Sequence, residues 1–232
     1  MMMTVIVIIV VSGALLLGAA WGSFGHLPDR LRGFLIALAG GALVLSLVTE
    51  LIEPSVERSS AIVALGGVAV GAAVFTFVDY LIDEKWGPDS GGGLLAALSL
   101  DGIPENLALG VALIGAGPTE VAALAGSIFL SNLPEAAGGA RLMVQQGRSG
   151  WRVLGIWALT ALILSAAALI GFLSMENAGE RTLAAIRCVA AGAVVASLAT
   201  EVFPQAYRED RHLAGIATAL GLILALWLGE LR

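Results

Sequence analysis

Charge is what this sequence has least of. Only 13% of its 232 residues are Asp, Glu, Lys or Arg, against about 25% in a soluble domain, and the mean hydropathy is +0.93. So few charges do not cover a water-facing surface, so the chain is expected to be an integral membrane protein. Cysteine is nearly absent. Cys188 stands alone in an apolar run, which excludes an intramolecular disulfide and any cysteine-rich metal site; it reads as a small core residue. The two histidines, His26 and His212, read as ordinary interfacial residues. No Walker-type Gly-rich Lys motif occurs, so nothing supports ATP drive. The start, Met1-Met2-Met3-Thr4-Val5, lacks the basic region of a signal peptide, and the first apolar run is expected to be a retained span. The formal charge of −6 marks no surface partner, because several of the acids fall inside apolar runs, and no nucleic acid is expected.

Long apolar runs are what the sequence does have. A span needs about 20 apolar residues, and eight candidates fit: 3–21, 33–52, 61–82, 94–114, 119–143, 153–174, 182–206 and 212–229. The expectation is an all-α polytopic membrane protein forming one transmembrane domain over 1–232, with short loops. The one loop of flexible composition is 84–93, rich in Gly with a Pro. Placing the N-terminus outside puts Arg30, Arg32, Lys85, Arg141, Arg148, Arg152, Arg208 and Arg211 in inner loops, against Arg58, Arg181 and Arg232 outside. Eight inner cations against three favour both termini outside. Trp21, Trp86 and Trp151 then fall at the inner boundary, as an aromatic belt does. Arg187, a turn or two inside the seventh span, reads as snorkelling to the outer interface. Gly67 and Gly71 form a small-x-x-x-small pair suited to close helix packing.

The segment Gly41-Ala42-Leu43-Val44-Leu45-Ser46-Leu47-Val48-Thr49-Glu50 echoes Gly192-Ala193-Val194-Val195-Ala196-Ser197-Leu198-Ala199-Thr200-Glu201. The spans that carry these segments run in opposite directions, as do the fourth and fifth spans. The expected arrangement is therefore an inverted repeat: three helices, a central pair, three helices. Transporters use this construction and place their site at the repeat interface.

Acidic residues inside these spans carry the chemistry. Asp101 and Glu105 lie in Leu98–Asn106, and Glu135 in Phe129–Ala136. An acid at the bilayer centre costs roughly 2.5–3.5 kcal/mol, so three cost about 8–10 kcal/mol unless partnered. Such groups hold a cation, relay protons, do chemistry, or persist as protonated, hydrogen-bonded structure. Residues four apart share a helix face, so Asp101 faces with Glu105 and Ser131 with Glu135, with Asn132 close by. Pro104 and Pro134 free the carbonyls of Leu100 and Leu130. Together these groups make an all-oxygen nest for a divalent cation.

At Asp101-Gly102-Ile103-Pro104-Glu105-Asn106 and Ser131-Asn132-Leu133-Pro134-Glu135-Ala136 the chain resembles the ZIP (Zrt/Irt-like) family of divalent metal transporters, as a divergent bacterial-type member. Glu201-Val202-Phe203-Pro204-Gln205-Ala206 is similar to that family's seventh span. The resemblance implies eight spans arranged 3+2+3, and a binuclear site bridged at the positions of Glu105 and Glu135. Asp101 stands where the family has a histidine, and Asn132 at a usual polar ligand position. Gly102 and Ser131 depart from the family's ligands and neither Pro-Glu pair is followed by glycine, so one well-formed site is expected and a second is weakened or lost. The histidine-rich inner loop of many relatives is absent. Location in a bacterial inner (plasma) membrane is implied.

The expected activity is therefore transport of a divalent metal (Zn, Fe, Mn or Cd) toward the cytoplasm. The metal is substrate rather than prosthetic group, with Asp101, Glu105, Asn132, Glu135 and Ser131 as ligands, and the protein is not an enzyme. Carboxylate in place of imidazole favours manganese or ferrous iron over zinc. Protons compete with metal at clustered carboxylates, so transport is expected to weaken in acid. Glu50, Glu201, Asp79, Asp83 and Asn106 are pathway candidates; interfacial or solvated helix-end roles are the alternative for the first four. Two other readings stay open: a metal sensor or scaffold with a degenerate site, and an intramembrane aspartyl protease using Asp79 and Asp101. Partners are the cation and the lipid bilayer, and a homodimer is compatible with the small-residue faces.

Overall fold

The computed structural model describes residues 2–25, 28–86, 102–107, 109–114, 117–175 and 178–230. Among these the regular structure is helix throughout, without strand, as the apolar runs predict. The helices are α1 (Met2–Phe24), α2 (Asp29–Ser46), α3 (Glu53–Arg58), α4 (Ala61–Trp86), α5 (Pro118–Gln145), α6 (Gly150–Met175), α7 (Glu180–Ser197), α8 (Phe203–Glu209) and α9 (Ala214–Glu230). Two helical stretches, 102–107 and 109–112, precede α5. The expected start of that fourth span, 94–101, lies outside the described residues.

Among the described residues five helical runs are long and apolar enough to cross a bilayer: Thr4–Phe24, Asp29–Arg58, Ala61–Leu81, Gly150–Met175 and Glu180–Glu209. At 1.5 Å per residue even the 21-residue runs reach about 30 Å, the thickness of the hydrocarbon core. Helix α5 has 28 residues but dilutes its apolar character with Ser131, Asn132, Glu135 and Arg141. The apolar stretch of α9, Ala214–Trp227, is shorter. Along α4, Ile62, Leu65, Val70, Val74 and Phe77 all stand exposed. Such a face is unfavourable in water and favourable against lipid.

The second run departs from the expected boundaries in an informative way, while the seventh, expected over 182–206, runs past Pro204 as expected. Sequence reading ends the second near Ile52, just ahead of Pro54. Instead the helix starts earlier, at Asp29 behind Pro28, and passes through a π-helical turn, Leu47–Ile52, into α3. The seventh run does the same through Leu198–Val202 into α8. The cause is proline. Pro54 and Pro204 sit in the first turn of α3 and α8 and give no N–H to the carbonyls of Glu50 and Thr200. A widened turn absorbs the missing bonds and lets the helix continue.

Packing divides the chain into two compact units: Met1–Ser46 with Gly117–Leu162 and Thr200–Arg232, and Leu47–Ala116 with Ile163–Ala199. In the first, α1 packs on α5, and α2 on α9, α5 and α8. In the second, α7 packs on α4, α3 and the Leu47–Ile52 turn.

The two units share a contact plan. A shift of 151 residues carries Glu50 onto Glu201, and with it Gly41 onto Gly192 and Leu38 onto Val189. A shift of 150 carries Val68 onto Thr218 and Gly71 onto Gly221. In the first unit a Cβ on Gly41 would meet the Thr218 carbonyl, and one on Gly221 the Leu38 carbonyl, in both cases within 3.0 Å. In the second, Gly192 stands over the Val68 carbonyl and Gly71 over that of Val189 in the same way. Gly22 over Ala137 in the first unit likewise matches Gly171 over Leu107 in the second. Even the caps correspond. Ser60 accepts from the Val63 amide at 3.3 Å and Asp210 from the Leu213 amide at 3.4 Å. The echo between the Thr-Glu segments is thus one part of a repeat that extends to the helix crossings.

Candidate functional site

Each unit holds one Pro-Glu helix and one Thr-Glu π-turn. In the first unit these are Pro134-Glu135 on α5 and Thr200-Glu201; in the second they are Pro104-Glu105 in the 102–107 stretch and Thr49-Glu50.

In the first unit, α1 fixes which way α5 faces. Gly18 and Gly22 bring α1 onto the backbone carbonyls of Leu133 and Ala137. At 100° per residue, Ser131, Glu135 and Gly138 then lie on the other side of α5. Pro134 is fully buried, and its missing N–H leaves the Leu130 carbonyl without its helical donor. The Ser131 hydroxyl donates to the Ile128 carbonyl at 3.0 Å, which leaves its oxygen lone pairs to accept or ligate. Asn132 is 3% exposed, and its amide nitrogen has no hydrogen-bond partner among the described residues. An unmade buried donor costs about 1–3 kcal/mol, so this amide is one that a polar partner would stabilise. Glu135 and Glu201 are half-buried and engage in polar or electrostatic interactions.

In the second unit Glu105 is buried, at 9% exposure. Its neighbour Asn106, a pathway candidate, donates its amide to the Gly102 carbonyl at 2.9 Å and so bonds its own helix. A Cβ on Gly102, where the resembled family has a ligand, would meet the Leu164 methyls of α6 at 2.5 and 2.8 Å, so a side chain there needs Leu164 to turn aside. Glu50 is half-buried, with the Thr49 hydroxyl 3.4 Å from its carboxylate. Asp79 lies half-buried on α4. Asp101, the Asp83 side chain and His26 lie outside the described residues. Among the described residues no three of His, Cys, Asp and Glu form a group able to hold a metal.

Sequence reading missed two arginines. Arg187 is 5% exposed and does not snorkel. Its guanidinium donates to the carbonyls of Val111 and Ile114, at 3.1 and 3.2 Å, where the 109–112 helix ends. A cation there offsets the helix dipole and satisfies end carbonyls. Arg187→Met keeps the apolar stem and removes these donors; it is expected to cost about 2–3 kcal/mol, read as a lower melting temperature in detergent. A melt unchanged from native would show that the carbonyls find other partners.

Arg32, counted above among the loop cations, is in fact inside α2. It is 7% exposed and pairs with Glu209 at 2.7 Å. Gln205, one turn before Glu209 on α8, donates to the same carboxylate at 3.2 Å. The available signals were the i, i+4 spacing of Gln205 and Glu209 and the glycine that follows Arg32.

The donors available for a cation are therefore carboxylates, an amide and a hydroxyl, the set that suits hard or borderline divalent metals. No protein-family model matches the chain, and no curated protein is significantly similar to it.

Proposed function

We propose that the chain is a secondary carrier for a divalent metal of the zinc, iron or manganese class, related to the ZIP family, moving the ion toward the cytoplasm. Its eight spans take the 3+2+3 inverted-repeat order, with both termini outside a bacterial inner membrane. Asp101, Glu105, Asn132 and Glu135, with Ser131, strip and replace the ion's waters. Glu50 and Glu201 lie on its route.

What supports the reading is the duplication of acids in apolar helices. Two units with one contact plan each carry a Pro-Glu carboxylate and a Thr-Glu turn. Many carriers are built from such internal repeats. π-turns, which break the helical ladder, gather at functional sites. The acid in each turn sits four or three residues ahead of the proline that opens the next helix.

The test is uptake of Mn²⁺, Fe²⁺, Zn²⁺ and Cd²⁺ into proteoliposomes, native against the Glu105→Ala, Glu135→Ala double variant. Saturable flux that disappears in the double variant is the expected result, with Mn²⁺ or Fe²⁺ ahead of Zn²⁺. A folded native chain that binds metal without moving it would make the protein a sensor or scaffold instead.

A further inference from the structure

The Arg32–Glu209 pair is an unusual thing to find on the acid-bearing face of α5. Both side chains are only 9% exposed. A buried ion pair returns little stability over apolar packing, yet two glycines, Gly138 and Gly33, make room for this one, and Gly40 does the same for Phe203 on α8. A Cβ on Gly138 would press into the Arg32 Cδ at 2.8 Å. One on Gly33 would meet the Glu209 Cβ at 2.8 Å, and one on Gly40 the Phe203 ring at the same distance. The guanidinium stem thus lies across Gly138, three residues and one turn beyond Glu135 on the same face. Beyond the pair, Asp29 reaches Arg32 only at 3.8 Å and is 69% exposed, so the buried partner is Glu209.

Along α8 the polar groups continue in file. Glu209 accepts from Gln205 at 3.2 Å, and Glu201 lies four residues further back in the widened turn. Glu135 and Glu201 therefore belong to two elements that both lead to the position held by the Arg32 charge.

We infer that Arg32 is a tethered cation plugging this end of the carboxylate face, and that a divalent ion moving along the face takes Glu209 from it. This rests on the transport reading for the moving ion and for the orientation; the Arg32–Glu209 pair itself is a property of the unit. The paired state excludes cations by guanidinium charge and closes the file to water. Contact of a divalent ion with Glu209 weakens the pair and frees the guanidinium to swing toward Asp29 and solvent. The device admits cations because only a cation competes for Glu209. In the orientation proposed above this end faces the cytoplasm, so the plug governs release.

The test uses the full chain with Cys188→Ser and Gln205→Cys, labelled by a membrane-impermeant thiol reagent. Arg32→Gln is expected to speed labelling about tenfold or more, since removing one partner of a buried pair is strongly unfavourable to the paired state. Arg32→Lys retains slow labelling, and the charge swap Arg32→Glu, Glu209→Arg restores it. Millimolar Mn²⁺ speeds labelling with Arg32 present and adds nothing in Arg32→Gln. Labelling that is equally slow in Arg32→Gln overturns the plug, as does labelling by the charge swap as fast as by Arg32→Gln. Should Arg32→Gln not fold, the swap and the Mn²⁺ response of the Arg32 protein decide. Proteoliposome flux is measured in parallel. Arg32-dependent labelling without flux in any variant keeps the plug and removes the carrier reading; flux with Arg32-independent labelling does the reverse.

Discussion

Neutralising either Pro-Glu carboxylate, by Glu105→Gln or Glu135→Gln, is expected to lower saturable divalent-metal uptake by about 100-fold or more. Glutamine keeps the length and the hydrogen-bonding capacity of glutamate, so the helices that carry these positions persist. What it lacks is charge. An amide oxygen offers a hard cation only a dipole where a carboxylate offers a full ion, and inside an apolar bundle water does not make up the difference. Changing residues that merely support a metal ligand already costs 10- to 100-fold in affinity, which makes about 100-fold a lower bound for a ligand itself. Asn106→Ala is the matched control. Its amide bonds the Gly102 carbonyl, so alanine there costs about 1 kcal/mol of stability and leaves uptake near the native rate. Radiolabelled Mn²⁺ flux, normalised to folded protein, reads all three. Native flux in Glu135→Gln would remove Glu135 from the ion's path, and native flux in Glu105→Gln would remove Glu105.

Much of the fold was legible in the apolar runs, because a lipid solvent demands long uninterrupted helices and the chain writes them plainly. The repeat was legible in one segment only. Glu50 and Glu201 share a motif that a reader sees, whereas Val68 against Thr218 and Leu38 against Val189 share only position, so the equivalence of their crossings emerges in three dimensions. The π-turns were not legible as such. Pro54 after Thr49-Glu50 reads as the end of the second span, whereas the expected seventh span extends past Pro204, and only packing of the next segment decides that the helix goes on in both. For the same reason Arg32 was taken for a loop cation: its burial depends on Gly33 and Gly138, one on its own helix and one more than a hundred residues away. Glu105, Asn132 and Glu135 were legible because an acid or amide in an apolar run is costly wherever the run ends up. Arg187 shows the limit of that rule. It reads as snorkelling to the interface, whereas its partners are the carbonyls of Val111 and Ile114, which no side-chain pattern announces.

Leucine at any of the four matched glycines, Gly41, Gly192, Gly71 or Gly221, is expected to abolish folding of the unit that contains it. At each, even a Cβ would stand within 3.0 Å of a neighbouring helix's carbonyl oxygen, a separation at which something must shift. The obstacle is backbone, which cannot rotate away as a side chain tip does. Alanine forces the helices apart by about an ångström or more, and its cost lies at or above the upper end of the roughly 1–3 kcal/mol of ordinary overpacking. Leucine forces a separation that strips contacts along the whole crossing. In lipid that loss is severe, because helices associate through close packing rather than through exclusion from water. Gly66 and Gly155, with nothing within 4 Å of a built Cβ, supply the contrast. Alanine there relieves a helix-interior glycine and is expected to gain up to about 1 kcal/mol. Melting in detergent, followed by tryptophan fluorescence or by retention of a monodisperse species, separates the two groups. The repeat adds a sharper requirement. Gly41→Ala and Gly192→Ala act on equivalent crossings and should cost the same within the spread of such measurements, as should Gly71→Ala and Gly221→Ala. A severe Gly41→Ala beside a neutral Gly192→Ala would mean that the two units, alike in plan, bear load differently, and the shared crossing plan would no longer support an acid pair duplicated for a common ion.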